Sequence, residues 1–355
     1  MKEGKLPTTN AEALEYMMTH SPHPILSVIS NHRQLNKLLG SFIRPLQLHA
    51  EANKTTQSAG LGERIHPNVQ LFAVPTGRIA MDDNSNLQCI PNPKHLDVEM
   101  LPAPPPPGQE PDPAAPPPQE VVKEEVAIAL RETFVASPGC VLLSADYSQI
   151  ELRLMAHVAR DEGLIAAFES GDDVFKQMAA RWEECEVSEV SAESRGRAKT
   201  LCYGVLYGAG KATLGKNLGM SEEEADRQKH SLLRKYPRVK EFHKSVEMEC
   251  RNRGYIETLT GRRRDFPAVD SRNSNASAAA IRTAVNTICQ GSAADLINIA
   301  TLQIYERFCG AAAGSVPEVR IVNQVHDELI LELPQRMVTV RHHQLTLSPL
   351  RSLVA

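Results

Sequence analysis

Residues 140–153 read CVLLSADYSQIELR, and this stretch decides the architecture. CVLLSA, residues 140–145, is a short apolar run with the length and composition of a buried strand. Asp146 stands at its exit, and Ser148 with Glu151 has the spacing of a capping box for a following helix. The local layout is therefore strand, exposed carboxylate, helix. A carboxylate at the end of a packed strand is held rigidly while its oxygens stay open, which suits a hard cation.

The same arrangement recurs near the C-terminus. VRIVNQVHDELILEL, residues 319–333, reads as two strands joined tightly at His326 and Asp327. Glu328, Ile330 and Glu332 alternate with Leu329, Leu331 and Leu333, which predicts a half-buried second strand. Taken singly, each aspartate is more simply a turn or helix-start residue. Together they could hold the metal pair of an in-line phosphoryl transfer, with magnesium bound by few carboxylates and completed by substrate phosphates and water.

SRGRAKTLCYGVLYG, residues 194–208, places Arg195, Lys199, Tyr203 and Tyr207 at intervals of four. On a helix each step advances about 40°, so all four share one stripe roughly 120° wide. Two cations followed by two rings match a nucleoside triphosphate, charge against phosphates and rings against sugar and base. The plainer reading is an amphipathic helix with core tyrosines and solvated cations. Gly204 and Gly208 weigh against it, since each costs a helix about 1 kcal/mol relative to alanine and leaves a slot for close packing. Arg282, Asn286 and Gln290 form another stripe at intervals of four, suited to minor-groove acceptors that every base pair presents, or to an ordinary hydrogen-bonded helix surface.

Working outward, helices are expected near 10–20 and 25–46, a turn-rich stretch over 59–93, and mostly helix over 171–308. Leu296, Ile297, Ala300, Ile304 and Phe308 are expected to share an apolar face. Ten of the 24 prolines fall within residues 102–118, an expected loop or linker and a weak candidate for an SH3-like protein partner. The 355 residues carry 39 Lys+Arg and 43 Asp+Glu, a formal charge of −4 that by itself disfavours nucleic acid. Residues 195–264, however, hold 17 Lys+Arg and 8 Asp+Glu, so this segment is at +9 and the remainder at −13. Concentrated positive charge is the footprint of a phosphate-bearing partner, or of a solvated helical surface. No apolar run approaches the roughly 20 residues of a membrane span, so no membrane partner is expected. Seven cysteines without CxxC spacing predict neither a disulfide framework nor a four-thiolate zinc site, and fit a reducing intracellular compartment.

With these residues in view, the sequence resembles the family A DNA polymerases. Three long motifs stand in family order: DYSQIELR from Asp146, RGRAKTLCYGVLYG from Arg195 and QVHDE from Gln324. PTGRIAMDDNSNLQCIP from Pro75, TLTGRRRDFP from Thr258 and RTAVNTICQGSAADL from Arg282 support them, and the similarity spans about residues 20–333. CYGVLYG, GRRRDFP and VNTICQGSAAD resemble the eukaryotic theta branch, with YGAGK closer to the nu branch.

The resemblance implies an α+β right-hand polymerase, with an antiparallel palm sheet, helical fingers and a partial thumb. The implied divisions are 1–58 partial thumb, 59–100 palm, 101–120 insertion, 121–160 palm with the first metal aspartate, 161–275 fingers, 276–333 palm with the catalytic hairpin, and 334–355 a divergent tail. It implies template-directed addition of deoxynucleoside triphosphates to a primer 3′-hydroxyl with two Mg2+ ions, primer-template DNA as partner, a nuclear location, and a role in end joining or lesion bypass. Asp146, Asp327 and the Tyr147 carbonyl would hold metal, with Glu328 beside them. Arg195 and Lys199 would hold the triphosphate, and Lys199 would protonate the leaving pyrophosphate. Tyr203 would stack on sugar and base, its hydroxyl implying tolerance of dideoxynucleotides. Glu151 would exclude a 2′-hydroxyl and pair with Tyr207, and Gln149 would lie near the incoming sugar or template. Arg78, Asn286, Gln290 and His326 would touch the primer-template, ordered by Arg282.

Two departures stand out: Asn92 and Pro93 follow Ile90–Pro91 where the family often has a basic residue, and Phe175 replaces a histidine of bacterial members. The chain is expected to begin within the thumb and to hold no exonuclease-like or helicase-like domain, hence no proofreading. The tail after Leu333 leaves open a catalytically weak DNA-binding fragment. A single-subunit RNA polymerase shares the metal aspartates, but Glu151 argues against it.

Overall fold

The computed structural model describes residues 9–53, 64–82, 86–100, 122–309, 318–341 and 344–346. The Pro-rich stretch and half of the tail lie outside them. The chain divides into two units, Met1–Val69 with Met81–Val141, and Gln70–Ala80 with Leu142–Ala355.

In the first unit, α1 (Ala11–His20) starts where the Asn10 side chain accepts a hydrogen bond from the Ala13 N–H at 2.9 Å. Pro24 opens α2 (Pro24–Leu38), where its missing N–H costs nothing. A π turn, Leu39–Ile43, carries that helix on into α3 (Arg44–Asn53). Both helices therefore stand where the sequence places them. The two-residue strands β1 (Val69–Gln70) and β2 (Ala80–Met81) lie within the expected turn-rich stretch. Beyond it, β3 (Lys94–Met100) and β4 (Val122–Ile128) pair antiparallel from Lys94↔Ile128 to Met100↔Val122. Arg131 donates to the Ile90 carbonyl at 3.0 and 3.1 Å, holding the Ile90–Pro91 turn.

In the second unit, β5 (Cys140–Asp146) edges a three-stranded sheet of order β5-β9-β8, with β8 at Arg320–Val325 and β9 at Glu328–Pro334. The hairpin turns at His326 and Asp327 as expected, pairing Val325↔Glu328 through Arg320↔Glu332 with a bulge between Ile321 and Asn323. Leu329, Leu331 and Leu333 are buried, and the equally buried Glu332 is paired with Arg320 at 3.2 Å. Strand β5 differs from the buried strand expected: it alternates between half-buried and exposed residues, as an edge strand does.

Nine helices follow among the described residues, and all but the last contribute to one core. They are α4 (Ile150–Ala159), α5 (Glu162–Glu169), α6 (Val174–Glu183), α7 (Ala192–Leu206), α8 (Lys211–Leu218), α9 (Glu222–Lys235), α10 (Pro237–Arg253), α11 (Ser274–Asn286) and α12 (Ser292–Ile304). Between α10 and α11 runs a small hairpin, β6 (Tyr255–Glu257) with β7 (Arg263–Asp265). Side-chain caps at Asp161, Asp173, Ser191, Ser221 and Asn273 fix the helix starts. Leu152, Met155, Leu164, Phe175, Val205, Leu214 and Val239 fill the centre. On α12, Ile297, Ala300 and Ile304 are buried, whereas Leu296 faces solvent and leaves the expected stripe one residue narrower. In the tail a short helical turn at Gln335–Met337 precedes the antiparallel pair β10 (Thr339–Arg341) with β11 (Gln344–Thr346). Among the described residues no helix is long and apolar enough to cross a membrane.

Candidate active site

Asp146 ends β5, exposed, with Oδ1 accepting the Ser148 N–H at 2.5 Å. That bond belongs to a turn in which Ser148 (φ 37°) and Gln149 (φ 61°) both have left-handed backbone. Each costs on the order of 1 kcal/mol or more, so the junction is held by its surroundings. The capping box expected from Ser148 and Glu151 is absent, because a residue at positive φ cannot serve as the extended N-cap. Gln149 takes the N-cap position with no side-chain bond, and its Oε1 is buried without a partner.

The hairpin tip meets this junction. The Tyr147 N–H donates to the Asp327 carbonyl at 3.3 Å, and Ser144 Oγ donates to Glu328 Oε1 at 2.5 Å. Asp146, Tyr147, Asp327 and Glu328 are thus brought together, and exposed His326 forms the turn with φ 57°. Among the described residues no three His, Cys, Asp or Glu side chains form a closed metal cage. Two carboxylates plus the Tyr147 carbonyl are hard oxygen donors on tied strand ends, a set that fits a magnesium ion sharing its remaining positions with phosphate and water.

The expected stripe lies on α7. Tyr203 stacks obliquely between Phe175 and Tyr207 at 5.8 and 5.9 Å, and Lys199 Nζ lies 6.0 Å from the Tyr203 ring. Arg195 sits 5.6 Å from Phe175 and is paired with Asp173 at 2.7 Å. Burial pushes Asp173 up, but its bonds from Arg195 and from backbone N–H groups outweigh this and hold it below the usual carboxylate range. Burial first, then the nearby negative charges of Glu151, Asp327 and Asp146, push the Tyr203 hydroxyl up to about 12. The stripe therefore shares one site with the strand-end carboxylates. The glycine slot has an occupant of its own: a Cβ on Gly204 would overlap the buried Leu214 Cδ2.

Glu151 differs from expectation in its partner. It is ion-paired with Arg78 and accepts a bond from Gln290, while the Tyr207 hydroxyl is buried without a partner. A guanidinium is the stronger partner for a carboxylate in a desolvated place. Burial still dominates and raises the Glu151 carboxyl, with Arg78 opposing and Asp327 adding to the rise. Gln290 reaches Glu151 from the π turn Thr287–Gly291, while Asn286 at the end of α11 keeps a buried, unpartnered Oδ1. Exposed Arg282 lays its side chain 3.4 Å from where a Gly208 Cβ would be.

Sequence reasoning misses what aims Arg78. Arg262 Nε binds Asp295 at 2.8 Å and its NH2 donates to the carbonyls of Thr76 at 2.6 Å and Gly291 at 3.2 Å. Gly77 (φ 80°) lets that guanidinium approach to 2.8 Å of the place a Cβ would take. Asp295 is held below its usual range: burial raises it, but Thr258, Thr260 and Arg262 together lower it further. The signal in the sequence is the GRRRDFP run itself; its partner 186 positions away is not readable there. Asp173 is readable as the cap in GDDVF, immediately before the helix that carries Phe175.

Comparison with known proteins bears on the whole chain. The model of DNA polymerase family A matches residues 1–346, further in both directions than the expected span of about 20–333. DNA polymerase I of Mycobacterium tuberculosis (strain ATCC 25618 / H37Rv) is 32% identical over 327 residues, 92% of this chain and 31% of that protein. DNA polymerase theta of Mus musculus is 34% identical over 306 residues, 80% of this chain and 12% of that protein. Among solved structures, the POL domain of Pol1 from M. smegmatis in complex with DNA primer-template and dNTP aligns with a TM-score of 0.72 and 32% identity, covering 92% of this chain and 50% of that one. The chain therefore spans a third or less of the length of these curated relatives.

Proposed function

Because this chain belongs to DNA polymerase family A and has its α+β fold, we propose that it extends a DNA primer along a template, adding deoxynucleoside triphosphates. The observation that carries this reading is the bond from the Tyr147 N–H to the Asp327 carbonyl, which holds two strand-end aspartates together close to Tyr203 of the α7 stripe. The similar M. smegmatis domain binds primer-template and dNTP, which supports the same partners here.

In this reading Asp146, Asp327 and the Tyr147 carbonyl hold a pair of Mg2+ ions. When bound, these supply activation of the primer hydroxyl and charge stabilisation at the phosphates. The chain's own residues do the rest. Arg195 and Lys199 bind the triphosphate, and Lys199 delivers a proton to the departing pyrophosphate. Arg195 is kept aimed by Asp173. Tyr203 supports the base, and Glu151, fixed by Arg78 and Gln290, excludes a ribose 2′-hydroxyl in this reading. Asn286, Gln149 and Tyr207 carry buried polar atoms without partners, the kind of group that a sugar or base edge would satisfy.

We assign a partial thumb to residues 1–58, palm to 59–100, 121–160 and 276–333, and fingers to 161–275, and place the enzyme in nuclear repair by end joining or lesion bypass, following the theta likeness. Primer extension by purified protein on a short template tests the activity. Mg2+-dependent addition of the template-specified deoxynucleotide is expected, and duplex binding without any extension would leave only the DNA-binding reading. Equal incorporation of ribonucleotides would overturn the choice of substrate.

A further inference from the structure

On the other side of α7 lies a cavity of about 290 Å³ between α6, α7 and α9. Ala198 and Leu201, which line it, are rotated roughly 150° around the helix from the Arg195 to Tyr207 stripe. Met178, Leu201 and Leu232 line it with apolar surface, Gln228 and Ser231 with hydrogen-bonding groups, and Trp182 with an indole that has the Arg197 guanidinium 5.1 Å from its ring centre. Two cations, Arg181 and Lys235, face into it. Neither is ion-paired among the described residues.

We propose that this cavity binds a small aromatic anion of the size and kind of a nucleoside monophosphate, its ring against Trp182 and its phosphate between Arg181 and Lys235. An aromatic side chain, a few convergent polar groups and a pair of unneutralised cations are the elements of such a site. The cations are also close enough to oppose each other. Burial, and after it the charge of Arg181, lower the Lys235 ammonium to about 8, and an anion between them would relieve both costs. The Lys235 ammonium lies 4.8 Å from the ring centre of Tyr236, whose hydroxyl is buried without a partner. This binding does not depend on the polymerase reading.

Trp182 is the only tryptophan in the chain, so its emission reports on the cavity directly. Titration with dAMP is expected to change that emission saturably at millimolar concentration or below. Arg181→Gln with Lys235→Gln should weaken binding by at least ~10-fold, about 1.4 kcal/mol. Ser231→Phe, a surface change at the rim, should block it. The response should persist in Arg195→Ala with Lys199→Ala, in which the stripe on the far side of α7 has lost its cations. Circular dichroism checks that each variant is folded. No saturable response, a response unaffected by both cavity variants, or one lost with Arg195 and Lys199 would each overturn the proposal.

Discussion

Glu151 shows how a single side chain can be legible in type and not in partner. The motif DYSQIELR marks it as a site carboxylate, but only the fold reveals that Arg78, 73 positions earlier, is its ion-pair partner. Burial outweighs that partner, so the folded carboxyl titrates above its ordinary 4.5. The folded state then binds the proton more tightly than the unfolded chain, and the stability this contributes is present below pH 4.5 and lost as pH rises through the folded value. Glu151→Gln is therefore expected to melt at or above the native protein at pH 7, with the difference shrinking towards pH 4 in thermal unfolding monitored by circular dichroism. A large loss at pH 7 would mean that the Arg78 pair dominates. In extension assays Glu151→Ala should raise ribonucleotide incorporation by at least ~10-fold relative to deoxynucleotide, measured as the ratio of kcat/KM values.

Elements differ in how much of themselves the sequence discloses. The β8–β9 hairpin is readable because alternating leucines must face one way and because two residues suffice to turn the chain. Helix α7 is readable by its period. The β5–α4 junction is not, since a capping-box pattern carries no information about the positive φ that Ser148 takes when Asp146 binds its N–H. The π turn at Thr287–Gly291 is likewise silent in sequence, yet it delivers Gln290 to Glu151. Long-range anchoring is the least legible. Arg262→Ala would leave Asp295 with only the threonine hydroxyls and free the Thr76 carbonyl, so a loss of roughly 2–4 kcal/mol is expected in denaturant unfolding, with Arg262→Lys recovering little of it. Gly204→Ala tests α7 packing: the helix gains about 1 kcal/mol of propensity, but the new methyl must displace buried Leu214, so net destabilisation of about 1 kcal/mol is expected.

For the whole molecule, a net charge of −4 conceals a segment at +9 that includes α7, α9 and α10. If that segment tracks DNA phosphates, affinity for a primer-template duplex should fall linearly in log Kd against log salt with a slope of several units, despite the acidic mean. A flat salt response would assign the cations to a solvated surface. Two aspartates held together at strand ends carry the proposed chemistry. Primer extension and duplex binding, measured side by side for Asp146→Asn and Asp327→Asn, test it most directly. Each variant is expected to lose Mg2+-dependent extension by at least ~1,000-fold while binding primer-template within a few-fold of the native protein; extension at near-native rates by either variant would show that these carboxylates do not carry the chemistry.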